Sequence, residues 1–182
     1  MPRLFVSIDL PRIVKRELSG ICSGLPNGRW VKEEQIHLTL RFIGEVDDKV
    51  FQEIKKNLAE IESLPFSIRL AGVGCFPSRA QPRIVWAGVD PGEPVSALRN
   101  KVEAAMVNLG LPPEGQKFSP HVTLARLRDT PPAAITRYLS TNTLFTGSRF
   151  EVKEFYLYSS VLTKNGAVYR VVADYPLVRP SV

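Results

Sequence analysis

The chain has only two histidines in 182 residues, and each opens the same four-residue pattern: His37-Leu38-Thr39-Leu40 and His121-Val122-Thr123-Leu124. Imidazole is the side chain that titrates nearest neutrality. Two of them can therefore present a proton donor and a proton acceptor at one pH. Side chains of an extended strand alternate between faces, so His and Thr share one face of each pattern and the apolar pair shares the other. The apolar pair anchors the strand, and the polar pair faces a groove or solvent. A phosphodiester fits between two such pairs. One imidazole deprotonates the nucleophile while the other protonates the leaving oxygen. The Thr39 and Thr123 hydroxyls and an arginine supply donors for the non-bridging oxygens. This scheme requires neither a metal nor a cofactor, and no aspartate, glutamate or cysteine stands at a local ligand spacing from either histidine.

Two arginines are candidates for the phosphate grip. Arg41, four residues after His37, shares its face by strand parity. Arg126, five residues after His121, points the other way and reaches the groove only if the strand twists, bulges or ends there. Trp30, Phe42, Phe76, Phe118 and Tyr158 are aromatic candidates for stacking a base. Tyr158 stands out because it lies in a strand close to a turn and carries a polar tip.

The elements that must position these residues follow from hydrophobic spacing. Residues 4–10 read as a buried strand, and Pro11 suits the start of a helix with Ile13, Val14, Leu18, Ile21 and Cys22 on its apolar side. A strand over 36–43 leads to Asp47-Asp48, a cap for a helix with Val50, Phe51, Ile54, Leu58 and Ile61 inward. Phe66, Ile68 and Leu70 alternate as a third strand, before a break rich in Pro and Gly over 72–82. The order then recurs. A strand over 84–89 precedes a helix faced by Val95, Leu98, Val102, Met106 and Leu109, which Gly110 can end. A strand from His121, a short helix from Pro131-Pro132 and an extended stretch over 149–153 follow. The chain thus reads as one two-lobed domain over 1–182 containing a pseudo-repeat, about 3–76 and 83–153, with a closing hairpin over 155–175 around Lys164-Asn165-Gly166, where Asn-Gly calls for a two-residue mirror turn with both residues at positive φ.

Bulk properties narrow the partners. The net charge is +6, which favours a polyanion. The basic residues are scattered rather than gathered into a block. No run of residues is apolar for the roughly 20 positions of a membrane helix, and the first ten residues do not read as a signal peptide, so the cytoplasm is the expected location. Cys22 and Cys75 read as free thiols.

Taken together, these segments resemble a known family, the two-histidine phosphoesterases, and within it the RNA 2′,3′-cyclic phosphodiesterases, also called 2′-5′ RNA ligases. The resemblance rests on the paired His-x-Thr-x motif in its surroundings, His37-Leu38-Thr39-Leu40-Arg41-Phe42-Ile43-Gly44 and Pro120-His121-Val122-Thr123-Leu124-Ala125-Arg126. It extends to Arg3-Leu4-Phe5-Val6, Gly74-Cys75-Phe76-Pro77, Trp86-Ala87-Gly88-Val89 and Leu157-Tyr158-Ser159-Ser160. The resemblance implies an α+β fold, bilobal and duplicated, with two antiparallel sheets forming a central groove and helices outside. It implies hydrolysis of RNA 2′,3′-cyclic phosphate ends to 2′-phosphates without metal, His37 as the acid, His121 as the base, and Thr39, Thr123 and Arg126 as phosphate ligands. Arg41, Phe42 and Tyr158 are further candidate base or substrate contacts. The implied partner is RNA with cyclic phosphate ends, of which tRNA fragments are an example, acted on by a monomer; reversal would join ends through a 2′-5′ linkage. Two alternatives stay open: a sibling enzyme acting on ADP-ribose cyclic phosphate or 2′-5′ oligoadenylate, and an RNA-end-binding module without catalysis.

Overall fold

The computed structural model describes residues 3–178. Along the chain lie β1 (Arg3–Asp9), α1 (Arg12–Ser19), β2 (Arg29–Trp30), β3 (His37–Glu45), α2 (Asp48–Ala59), β4 (Phe66–Phe76), β5 (Ile84–Asp90), α3 (Glu93–Asn108), β6 (His121–Arg126), α4 (Pro132–Thr141), β7 (Phe150–Val152), β8 (Glu154–Thr163) and β9 (Gly166–Pro176). A single turn of 3-10 helix, Glu33–Gln35, precedes β3. Two antiparallel sheets result, one ordered β3-β1-β8-β9 and the other β2-β6-β5-β4-β7. The fold is α+β.

Helix starts and stops follow local chemistry. The Asp47 carboxylate accepts a 2.8 Å hydrogen bond from the Val50 amide and caps α2. Helix α3 buries Val95, Leu98, Val102 and Met106, and Gly110 follows it at φ +86, a conformation costly for a residue with a Cβ. In α1 only Val14 and Leu18 are buried. Ile13, expected inward, is 59% exposed, because the eight-residue helix offers the sheet only a narrow stripe.

The main core joins both sheets. Leu38 and Leu40 of β3 and Val122 and Leu124 of β6 lie in one cluster with Ile54, Leu58, Leu98 and Met106. Each fully buried aliphatic side chain contributes about 2 kcal/mol through lost apolar hydration. The anchoring half of each motif is therefore driven into the same core, which holds the polar halves on the opposite faces.

Sheet membership crosses the repeat boundary. β4, which ends the first strand–helix–strand–helix–strand run, pairs with β5 and β7 in the second sheet. The β8–β9 hairpin returns to complete the first sheet against β1. β4 also runs past the expected break at 72 to Phe76. Gly72, at φ +69, takes up a register shift between Leu70 and Val73, and the strand then resumes. Gly74 is empty where a Cβ would lie 2.2 Å from the Trp86 ring, so it makes room for that indole. The closing hairpin forms as expected, but its loop is Lys164-Asn165. Of the Asn165-Gly166 pair only Gly166 takes positive φ, at +110, and it already pairs with Thr163. A turn with one left-handed glycine replaces the expected two-residue mirror turn.

Candidate active site

β3 and β6 carry the same defect. Opposite β1, Val6 pairs with Arg41 and Ser7 with Thr39, so Leu40 is an extra residue. Opposite β5, Val85 pairs with Ala125 and Trp86 with Thr123, so Leu124 is extra. A one-residue bulge inverts side-chain parity beyond it. The residue five places after each histidine therefore returns to the histidine face, and the residue four places after it turns into the protein. Arg126 and Phe42 consequently line the groove, and Ala125 and Arg41 are buried.

The result is a groove of about 310 Å³ walled by His37, Thr39 and Phe42 from the first sheet and His121, Thr123 and Arg126 from the second. The 3-10 turn before β3 also contributes Gln35, whose side-chain amide donates to the Ala167 carbonyl of β9. Five of the residues singled out in the sequence for catalysis or phosphate binding are thus brought together, along with Phe42.

Each imidazole is held by the same contact. The Nδ1 of His37 lies 2.6 Å from the Gln35 carbonyl, and the Nδ1 of His121 lies 2.8 Å from the Ser119 carbonyl. A carbonyl oxygen only accepts, so Nδ1 carries the hydrogen and Nε2 is left for the groove. That nitrogen accepts a proton when the ring is neutral and donates one when it is charged. Aromatic rings pack both histidines. Phe5 lies 4.9 Å from His37 and Phe76 lies 4.9 Å from His121, centroid to centroid.

Burial lowers both imidazole pKa values below the ordinary 6.5, and the two carbonyl contacts oppose that shift. At His37 the carboxylate of Asp9, its cross-strand partner, also favours the charged ring, whereas Lys15 and Arg126 disfavour it. The charge of Arg126 reaches His37 from the opposite sheet. His121 has no such carboxylate, because its cross-strand partner is Gly88.

Arg41 does not line the groove. The bulge sends it into a buried ionic cluster in which its Nη1 lies 3.0 Å from Glu103 of α3 and its Nη2 donates to the Pro112 carbonyl at 2.6 Å. Glu114 completes the cluster. It lies 3.1 Å from Arg99, accepts from the Phe42 amide at 3.3 Å, and donates its own amide to Glu103 at 2.9 Å. The strand bearing His37 is thereby tied to the segment that leads into His121. Arg99 sits 5.2 Å over Phe118, which assigns that aromatic to packing.

Tyr158 flanks the groove rather than walling it. It stacks on Phe5 at 5.2 Å and 8°, and burial raises its pKa to about 12. Trp30 packs against Tyr138 in the smaller core cluster. The sequence reading missed Phe5 and Tyr169, which meet at 5.0 Å beside His37 and line the groove. The available signal was Phe5 falling on the Ser7–Asp9 face of β1, opposite Leu4, Val6 and Ile8. Cys22 is held up to about 11 by burial and its thiol donates to the Leu18 carbonyl; burial also raises Cys75. Both thiols are free and neither is activated.

Two facing sheets, each presenting an imidazole and a hydroxyl to one groove, define a phosphoester-handling fold, and solved structures share it. A Thermus thermophilus protein superposes with a TM-score of 0.81 at 29% identity, covering 96% of this chain and 97% of that one. The Escherichia coli LigT protein complexed with 3′-AMP superposes at 0.80 with 26% identity, covering 98% and 100%. The LigT-like phosphoesterase family model matches residues 8–86 and 89–169, and the chain belongs to that family. Among its relatives, the RNA 2′,3′-cyclic phosphodiesterase of Aeropyrum pernix is 39% identical over 84% of this chain and 87% of its own length. The enzyme of the same name from Archaeoglobus fulgidus is 33% identical over 92% and 96%.

Among the described residues no helix is long and apolar enough to cross a membrane.

Proposed function

We propose that this protein hydrolyses the 2′,3′-cyclic phosphate at an RNA 3′ end to a 2′-phosphate. The observation that carries this reading is a single groove in which strand alternation sets two imidazoles and two hydroxyls and the bulge of β6 adds the Arg126 guanidinium. Water attacks phosphorus and passes a proton to Nε2 of His121. The bond from phosphorus to the 3′ oxygen breaks, and that oxygen takes a proton from Nε2 of His37. Asp9 supports the donor role of His37, because its carboxylate is the charge at either histidine that favours imidazolium. Thr39, Thr123 and Arg126 hold the non-bridging oxygens, where charge builds up in the transition state. Solvent exchange restores the starting protonation. With a 5′-hydroxyl end in place of water, the same steps join RNA through a 2′-5′ linkage, and their reversal cleaves that linkage. No step requires a metal.

The relatives' shared name supports the substrate class, and the +6 net charge suits RNA. The test is phosphorus NMR of an RNA with a cyclic phosphate end, incubated in EDTA with wild type, His37→Ala and His121→Ala. Conversion to a 2′-phosphate by wild type alone is expected. Undiminished conversion by both variants would sink the mechanism.

One observation favours a second reading, a small cyclic nucleotide such as ADP-ribose cyclic phosphate. The E. coli neighbour is complexed with 3′-AMP in one structure and with ATP in another, so mononucleotides are ligands of this fold. Comparing turnover of a cyclic-ended oligonucleotide with that of the small molecule decides between the two.

A further inference from the structure

The groove has an arginine in each half, and their surroundings differ. Arg3, in the first sheet, lies 3.7 Å from Glu45, which balances its charge. Arg126, in the second, has no carboxylate partner among the described residues. Beside it is another unbalanced cation. β2 pairs with β6 so that Arg29 lies directly opposite Arg126 and Trp30 opposite Ala125. Directly paired residues of an antiparallel ladder share a face. Trp30 and Ala125 pack into the core, so Arg29 and Arg126 share the groove face. Val31, two residues after Arg29, follows the same alternation and lines the groove. Arg29 is exposed and, like Arg126, makes no ion pair among the described residues.

Like charges placed directly across a ladder repel. Here two guanidinium groups stand side by side at the mouth of a groove with no carboxylate between them, so the arrangement is relieved by an anion. One nucleotide has one phosphate to offer at this site, which Arg126 takes in the reading above. A polynucleotide brings a second, one nucleotide away.

We infer that Arg29 binds the phosphodiester one nucleotide 5′ of the reacting cyclic phosphate. The RNA body then leaves the groove over β2, while the terminal base lies toward Phe42 and Phe5 in the other half. This inference rests on the RNA-end reading and gives the site its preference for a chain over a mononucleotide.

The experiment compares wild type, Arg29→Ala and Arg29→Lys on two probes: a trinucleotide ending in a 2′,3′-cyclic phosphate, and a nucleoside 2′,3′-cyclic monophosphate, which has no upstream phosphodiester. In Arg29→Ala the trinucleotide KM rises about tenfold with kcat retained, the scale of one charged phosphate contact. The monophosphate kinetics stay at the wild-type values. The salt dependence of kcat/KM on the trinucleotide becomes shallower by about 0.7 in log–log slope, as for one phosphate contact on a single strand. Arg29→Lys recovers part of the loss. Equal losses on both probes, or no loss on the trinucleotide, overturn the subsite while leaving the phosphodiesterase reading in place. No turnover of either probe by wild type overturns both.

Discussion

β3 and β6 are the same device built twice, with different residues beyond the bulge. Both run through the same burial pattern from the histidine onward, both bulge at the leucine after the threonine, and both tie imidazole Nδ1 to the carbonyl two residues back. Past the bulge they diverge. β3 turns Phe42 to the groove and Arg41 inward; β6 turns Arg126 to the groove and Ala125 inward. Opposite the histidines, Asp9 faces His37 and Gly88 faces His121. The backbone supplies a symmetric pair of proton carriers, and the side chains make one half aromatic and the other cationic. A cyclic nucleotide is similarly two-ended, with a base on one side and a phosphate on the other.

If the two halves hold different jobs, neither histidine substitutes for the other. His37→Ala and His121→Ala should each lower kcat by about 10³, within the range for positioned acid–base groups, and the double variant should be little worse than either single one. Steady-state rates on a cyclic-ended RNA measure this. A single variant that kept a tenth of the activity would break the division of labour.

The next largest effect concerns the cation. Arg126→Ala should cost about 10² in kcat/KM, the range for removing one oxyanion donor. Phe42→Arg, which makes the two stations alike, should not restore it. Rescue by that double variant would show that position beyond the bulge, and not its half, is what matters.

Arg41 tests the inward side of the same comparison. Arg41→Ala leaves the carboxylates of Glu103 and Glu114 to a single cation, Arg99, and strips the cluster of its most buried charge, so it should lower the unfolding free energy by about 3 kcal/mol, read from the urea midpoint. Ala125, its counterpart in β6, carries no such network. Phe42→Ala should raise KM by about tenfold, the scale of one base stacked on an aromatic ring, with kcat nearly unchanged.

The smallest effect is on pH. Burial lowers both imidazole pKa values, so the kcat/KM profile of the free enzyme should centre below 6.5. Asp9→Asn removes a carboxylate that favours charged His37, and the alkaline limb should move to lower pH while the acid limb stays. Movement of the acid limb alone would exchange the two roles. The same shifts act on stability. The unfolded chain takes up protons that the folded rings resist, so the histidine contribution is fully present above about 6.5 and is lost as pH falls from there through the folded values. Urea midpoints measured across that window test the sign.

Much of this arrangement was legible in the sequence because it rests on local alternation. Leu38 and Val122 had to face the core, which put His and Thr on the other face. The bulges were concealed to different degrees. Leu124 and Ala125 are adjacent and apolar, a doublet that breaks alternation and could have placed Arg126 correctly. In β3 the sequence Leu40-Arg41-Phe42 keeps alternating in type while the backbone does not, because Arg41 is neutralised inside by Glu103. A buried arginine reads as an exposed one until its partner, 62 positions away in the chain (103 − 41), is in view. Strand partners posed the same difficulty. Nothing local in β4 distinguishes pairing with β5 from pairing with β1, since that choice depends on contacts made across the whole molecule.

The crossing of strands between sheets bears on how the chain can be divided. Cutting between β4 and β5 separates β8 and β9 from β1, and β4 from β5, so each fragment carries strands that belong to the other's sheet. Neither fragment holds a complete lobe, and both expose unpaired edges that invite association. The two imidazoles are stitched into one cooperative unit, and a solitary half-site has no folded form of its own to inhabit.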